Sequence, residues 1–168
     1  MKFNLAEVTE CNSIQIRNVI IHKDAEGNEV SRTFHRSVVD STQDLTGQPQ
    51  LVQDIAVAFT KIDPETKVRP EGASEDIAMI RIMAEGHDRI RFDRAVQIVE
   101  NGELKHNDRK QPEIVHALDD ISELPEKVKV AARLIFTEEI KQAEVDKEVA
   151  RLRAAQPVEE PVEELIGE

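Results

Sequence analysis

Two runs rich in β-branched and apolar residues flank a turn-forming pentapeptide near the N-terminus, and together they commit the chain to an antiparallel hairpin. The first run carries Ile14, Ile16, Val19, Ile20 and Ile21, and the second carries Val30, Thr33, Phe34, Val38 and Val39. Side chains branched at Cβ pack well on a pleated surface. Between the runs lies Asp24-Ala25-Glu26-Gly27-Asn28. A three-residue loop with Gly27 in the left-handed region sets Lys23 opposite Glu29, a favourable cross-strand charge pair.

Helical periodicity follows. After a polar loop over 40–47, Pro49 suits a first helical position, and Leu51, Val52, Ile55, Ala56 and Phe59 recur at helical spacing. This helix ends near Lys61, before a loop over 62–73 broken by Pro64, Pro70 and Gly72. The stretch 74–104 reads two ways. As helices, Ser74 caps a segment ending at Gly86, and Asp88 caps another in which Phe92, Ala95, Val96 and Val99 share one side. As strands, Ala78, Ile80, Ile82 and Ala84 share a face and Asn101-Gly102 becomes a hairpin turn. The 92–99 spacing favours the helical reading. Pro112 is expected to open a further helix through Ser122, and Pro125 a long one running towards Ala154.

The predicted fold class is therefore α+β. An N-terminal β-hairpin or small antiparallel sheet packs with several helices, followed by a long C-terminal helix and a disordered acidic tail. The expected organisation is a compact α+β domain over 1–140, the distal half of the charged helix over 141–155, and the tail over 156–168. That tail holds five Glu, two Pro and no Lys or Arg, too little apolar surface to offset the entropy of ordering. Leu165 and Ile166 near its end give it the character of a short docking peptide. In the distal helix Val145, Val149 and Leu152 form a thin apolar seam at spacings of four and three amid charges of both signs. Such a seam suits one partner helix rather than a broad core.

Composition narrows the functional classes. The formal charge is −12, with the acidic excess concentrated in 37–104 and in the tail. A chain of this sign repels nucleic acid at long range, so direct nucleic-acid binding is disfavoured. Five Phe, with neither Trp nor Tyr, supply few faces for stacking bases or sugars. The single cysteine, Cys11, rules out an intrachain disulfide framework and any cysteine-rich zinc site, and it reads as a small buried residue. The first residues lack the basic-then-apolar pattern of a signal peptide, and no apolar run reaches membrane-spanning length. A cytoplasmic location is expected, without membrane association.

No motif carries catalytic chemistry. The six glycines form no phosphate-cradling loop, and no nucleophile elbow is present. Two Glu-x-x-His strings occur, Glu103–His106 and Glu113–His116. On helices that spacing would place both ligands on one face, as in di-iron bundles, but ten residues between copies are too few for two facing helices. The acid pairs Asp119-Asp120, Glu138-Glu139 and Glu159-Glu160 read as solvated faces. Arg89, Arg91 and Arg94, interleaved with Asp88 and Asp93, read as local ion pairs. No cofactor, metal or catalytic residue is assigned.

The sequence therefore points to a non-enzymatic protein-interaction module, an adaptor, assembly factor or small chaperone. It would reach another protein or a second copy of itself through Val145, Val149, Leu152, Leu165 and Ile166. One alternative is an acidic mimic of nucleic acid that blocks a DNA-binding protein, and a metal-dependent enzyme is the other.

Overall fold

The computed structural model describes residues 2–39, 42–83 and 86–155. Within them seven strands form one antiparallel sheet: β1 Lys2–Thr9, β2 Ile14–Lys23, β3 Glu29–Val39, β4 Gly72–Met83, β5 Arg89–Glu100, β6 Glu103–Arg109 and β7 Glu113–His116. The order across it is β3-β2-β1-β4-β5-β6, and β7 pairs with the first residues of β5, in line with β6. Three helices accompany the sheet: α1 Gln50–Ala58, α2 Glu126–Ile135 and α3 Glu138–Ala155.

The hairpin forms in the predicted register. Lys23 stands opposite Glu29, and Gly27 adopts φ +90° in a loop closed by hydrogen bonds between Asp24 and Asn28. At φ +90° a side chain is strained, which accounts for glycine there. The hairpin is only one edge of the sheet. Register shifts in four of the strand pairings add local twist and help the sheet curl.

Three helical expectations are corrected. The stretch 74–104 is strands β4, β5 and the start of β6, with Asn101 (φ 55°) and Gly102 (φ 77°) making the two-residue turn. Consecutive positive φ values match the hairpin turn that follows the right-handed twist of its strands. The helix expected over 112–122 is strand β7 followed by turns. The long helix from Pro125 breaks at Phe136 and Thr137 into α2 and α3, with Ile140 N–H donating to the Thr137 hydroxyl oxygen at 3.4 Å.

The core lies between one sheet face and helices α1 and α2. Ala6, Val8, Ile14, Ile16, Ile80, Ile82, Ile90 and Phe92 from the strands meet Val52, Ile55, Val128, Ala131, Ala132 and Ile135 from the helices. Every one of these is buried. α3 contributes no buried residue, and only Ile140 near its start packs against the core. No helix among the described residues is long and apolar enough to cross a membrane.

At one end of the sheet a polar network moors the 62–71 loop. The Glu10 carboxylate accepts from Gln97 Nε2 at 2.7 Å and from Arg69 Nη2 at 3.1 Å, and Lys67 lies 3.5 Å away while also pairing with Asp76. Burial pushes the Glu10 carboxyl up, but Gln97, Lys67 and Arg69 outweigh it and hold the carboxyl below its ordinary value. Lys127 of α2 donates to the carbonyls of Thr9 at 2.6 Å and Glu10 at 3.2 Å. Burial lowers its ammonium to about 8, against the partial support of Asp76.

The sign of the Lys127 effect is fixed by linkage. Below about pH 8 the amine is charged folded and unfolded alike, and the fold carries the full desolvation cost. Above that value the folded chain releases its proton while the unfolded chain keeps it, so this group adds stability as pH rises towards 10.5. Urea denaturation of the wild type and of Lys127→Met at pH 7 and pH 10 is expected to show a larger gain, or a smaller loss, for the wild type on raising the pH. Parallel shifts of the two proteins would disprove the coupling.

Candidate functional site

Two surfaces outside the core bring together residues with binding chemistry. The first is α3. Its residues 140–147 run beside Gly86, His87 and Asp88, and α3 packs extensively on no other helix or strand among the described residues. Its charges are largely satisfied within the helix by three i,i+3 pairs: Lys141–Glu138, Lys147–Glu144 and Arg151–Glu148. What these pairs leave open is the apolar seam: Val145 is 40%, Val149 39% and Leu152 53% exposed. The three predicted residues thus lie together on one free stripe, while Leu165 and Ile166 lie outside the described residues.

The second surface is the sheet face away from α1 and α2. Strand register places side chains of six strands in two rows across it. One row runs Arg36, Arg17, Leu5, Met83, Arg89 and His116, and the next runs Val38, Gln15, Glu7, Arg81, Arg91 and Ile114. Period-two alternation brings odd-numbered residues of β1, β2, β4 and β5 and even-numbered residues of β3 and β7 to this face, while their neighbours turn to the other. The result is an open trough of about 450 Å³ lined by Arg17, Arg36, Arg81, Arg89 and Arg91, together with Leu5, Glu7, Met83 and Ile114.

The five guanidiniums are not equivalent. Arg81 is neutralised: Nη1 donates to both Asp93 oxygens at 2.8 and 2.9 Å, and Nε donates to Glu7 at 3.0 Å. Arg17 donates to the Asn4 side-chain oxygen at 2.9 Å and sits 5.0 Å over the Phe34 ring, contacts that orient it without cancelling its charge. Arg36, Arg89 and Arg91 have no carboxylate partner among the described residues. Four uncancelled cations therefore face one trough in a chain of net charge −12.

This arrangement revises the expected pairing around Arg89, Arg91 and Arg94. Arg94 does form ion pairs, but with Glu113 at 2.6 Å and Glu75 at 3.1 Å, and Asp93 serves Arg81. The Glu-x-x-His strings fall on strands β6 and β7 rather than helices, where positions three apart point to opposite faces. Among the described residues no group of three or more His, Cys, Asp or Glu is placed to hold a metal ion. Cys11 is buried, and burial followed by the Glu10 charge raises its thiol, which keeps it in the unreactive neutral form.

Comparison of the chain with protein-family models, with curated proteins and with solved structures finds no match.

Proposed function

We propose that this chain is a non-enzymatic protein-interaction module, an adaptor or assembly factor, that self-associates through α3. One observation carries the reading: an 18-residue helix has no buried residue yet displays an ordered apolar stripe at Val145, Val149 and Leu152. An isolated helix gains little from propensity alone, so such a stripe is stabilising only when covered.

Charge complementarity supports a second copy as the cover. With Val149 at an a position and Val145 and Leu152 at d positions, the flanking g and e positions are Lys141, Asp146, Glu148 and Arg153. In a parallel pair each g position meets the e position five residues on in the other copy. Lys141 then faces Asp146 of the second copy, and Glu148 faces Arg153, so both flanks attract. The seam spans only about two turns, so association is expected in the micromolar range or weaker, and equilibrium sedimentation over a concentration series tests it. A monomer at every concentration would sink the proposal.

A further inference from the structure

We propose that the arginine trough is the docking site of the chain's own acidic segment, residues 156–168. The trough offers four uncancelled guanidiniums, Arg17, Arg36, Arg89 and Arg91, beside the exposed apolar side chains of Met83 and Ile114. The segment offers the complement in both respects. It contains five Glu and no base, and it interleaves them with aliphatic residues as Val158-Glu159-Glu160 and Val162-Glu163-Glu164 before Leu165-Ile166. Glutamates answer the arginines, and the aliphatic residues answer Met83 and Ile114.

The reach is sufficient. α3 lies against Gly86, His87 and Asp88, the turn that leads into Arg89 and Arg91 of the trough. From Lys147, which lines a cleft with that turn, the helix continues eight residues to Ala155, about 12 Å at 1.5 Å per residue. Thirteen further residues extend to about 40 Å. The segment can therefore return from the helix end to the sheet face.

Tethering also answers why this occupant is favoured over a free polyanion. Net charge −12 repels nucleic acid and phosphorylated ligands from a distance, whereas a segment joined covalently to the same chain is held at an effective concentration on the order of 1 mM. If its intrinsic Kd is about 0.1 mM, the resident segment fills the trough about nine-tenths of the time and weakens any competitor about tenfold.

The test uses a fluorescent peptide of residues 156–168 and reads its binding by anisotropy. It should bind a chain ending at Ala155, whose sheet and core are complete without the segment. The full-length chain should bind about tenfold more weakly because its own segment competes. Changing Glu159, Glu160, Glu163 and Glu164 to Gln in the full-length chain should restore the tighter binding. Arg36→Glu with Arg91→Glu should abolish peptide binding to the shortened chain; both residues are exposed, and circular dichroism verifies the fold. The proposal is overturned if the shortened chain fails to bind, if the arginine changes leave binding intact, or if the full-length chain and its Gln variant bind alike.

Discussion

Phe92→Ala is expected to lower the unfolding free energy by about 3–5 kcal/mol, the usual range for emptying an aromatic site in a packed core. The Phe92 side chain is 0% exposed, stands opposite Ile80 in the centre of the sheet, and belongs to the cluster that α1 and α2 cover. A protein of this size holds about 5–15 kcal/mol in total, so this single change consumes a large fraction of it. Urea denaturation should report the loss as a lower midpoint with an unchanged slope. Ile114→Ala, on the open face where that side chain is exposed, is expected to stay within about 0.5 kcal/mol. A loss below about 1 kcal/mol at Phe92 would mean that the ring is not enclosed, and with it the register of β4 and β5 would fall.

The same strand explains why part of the fold was hard to read. Phe92, Ala95, Val96 and Val99 mimic helical spacing, but they lie on a twelve-residue strand with neighbours on both edges. Asp93, Ala95, Gln97 and Val99 are buried as well as Ile90 and Phe92, so the clean alternation that marks a half-exposed strand is lost. β6 failed for the opposite reason. All seven of its residues are exposed, and only Asn101-Gly102 announces it. The break between α2 and α3 carries no Gly or Pro; its signal is Thr137 before Glu138-Glu139, a hydroxyl cap with acids in the first turn. The hairpin was legible because its turn chemistry and its two runs agree. The arginine trough was not, since residues 17, 36, 81, 89 and 91 come from four strands and only register assembles them. The α3 seam needed no tertiary knowledge: its spacing and its flanking charges are local.

The second large effect is expected at that seam: Val145→Glu with Val149→Glu should convert self-associating protein into monomer while leaving the core intact. Both residues are exposed and neither belongs to the core cluster, so the urea midpoint should hardly move, and sedimentation should lose its concentration dependence. Circular dichroism should also show some loss of helix, because the distal turns of α3 would have no cover. Unfolding of the domain by these two changes would instead assign the stripe to the core and remove the support for the proposed function. Orientation is tested separately through the flanks. Glu148→Lys places like charges against Arg153 of a second copy in a parallel pair and should weaken it, at the added cost of the in-helix pair with Arg151. Adding Arg153→Glu restores opposite signs between copies and should recover association, although the in-helix pair stays broken. Recovery is therefore specific to the parallel arrangement, since an antiparallel pair sets Arg153 near Asp146 of the second copy and the added change would repel. A double variant weaker than Glu148→Lys alone would reject parallel pairing, and recovery would fix both the second copy as the partner and the direction in which the helices run.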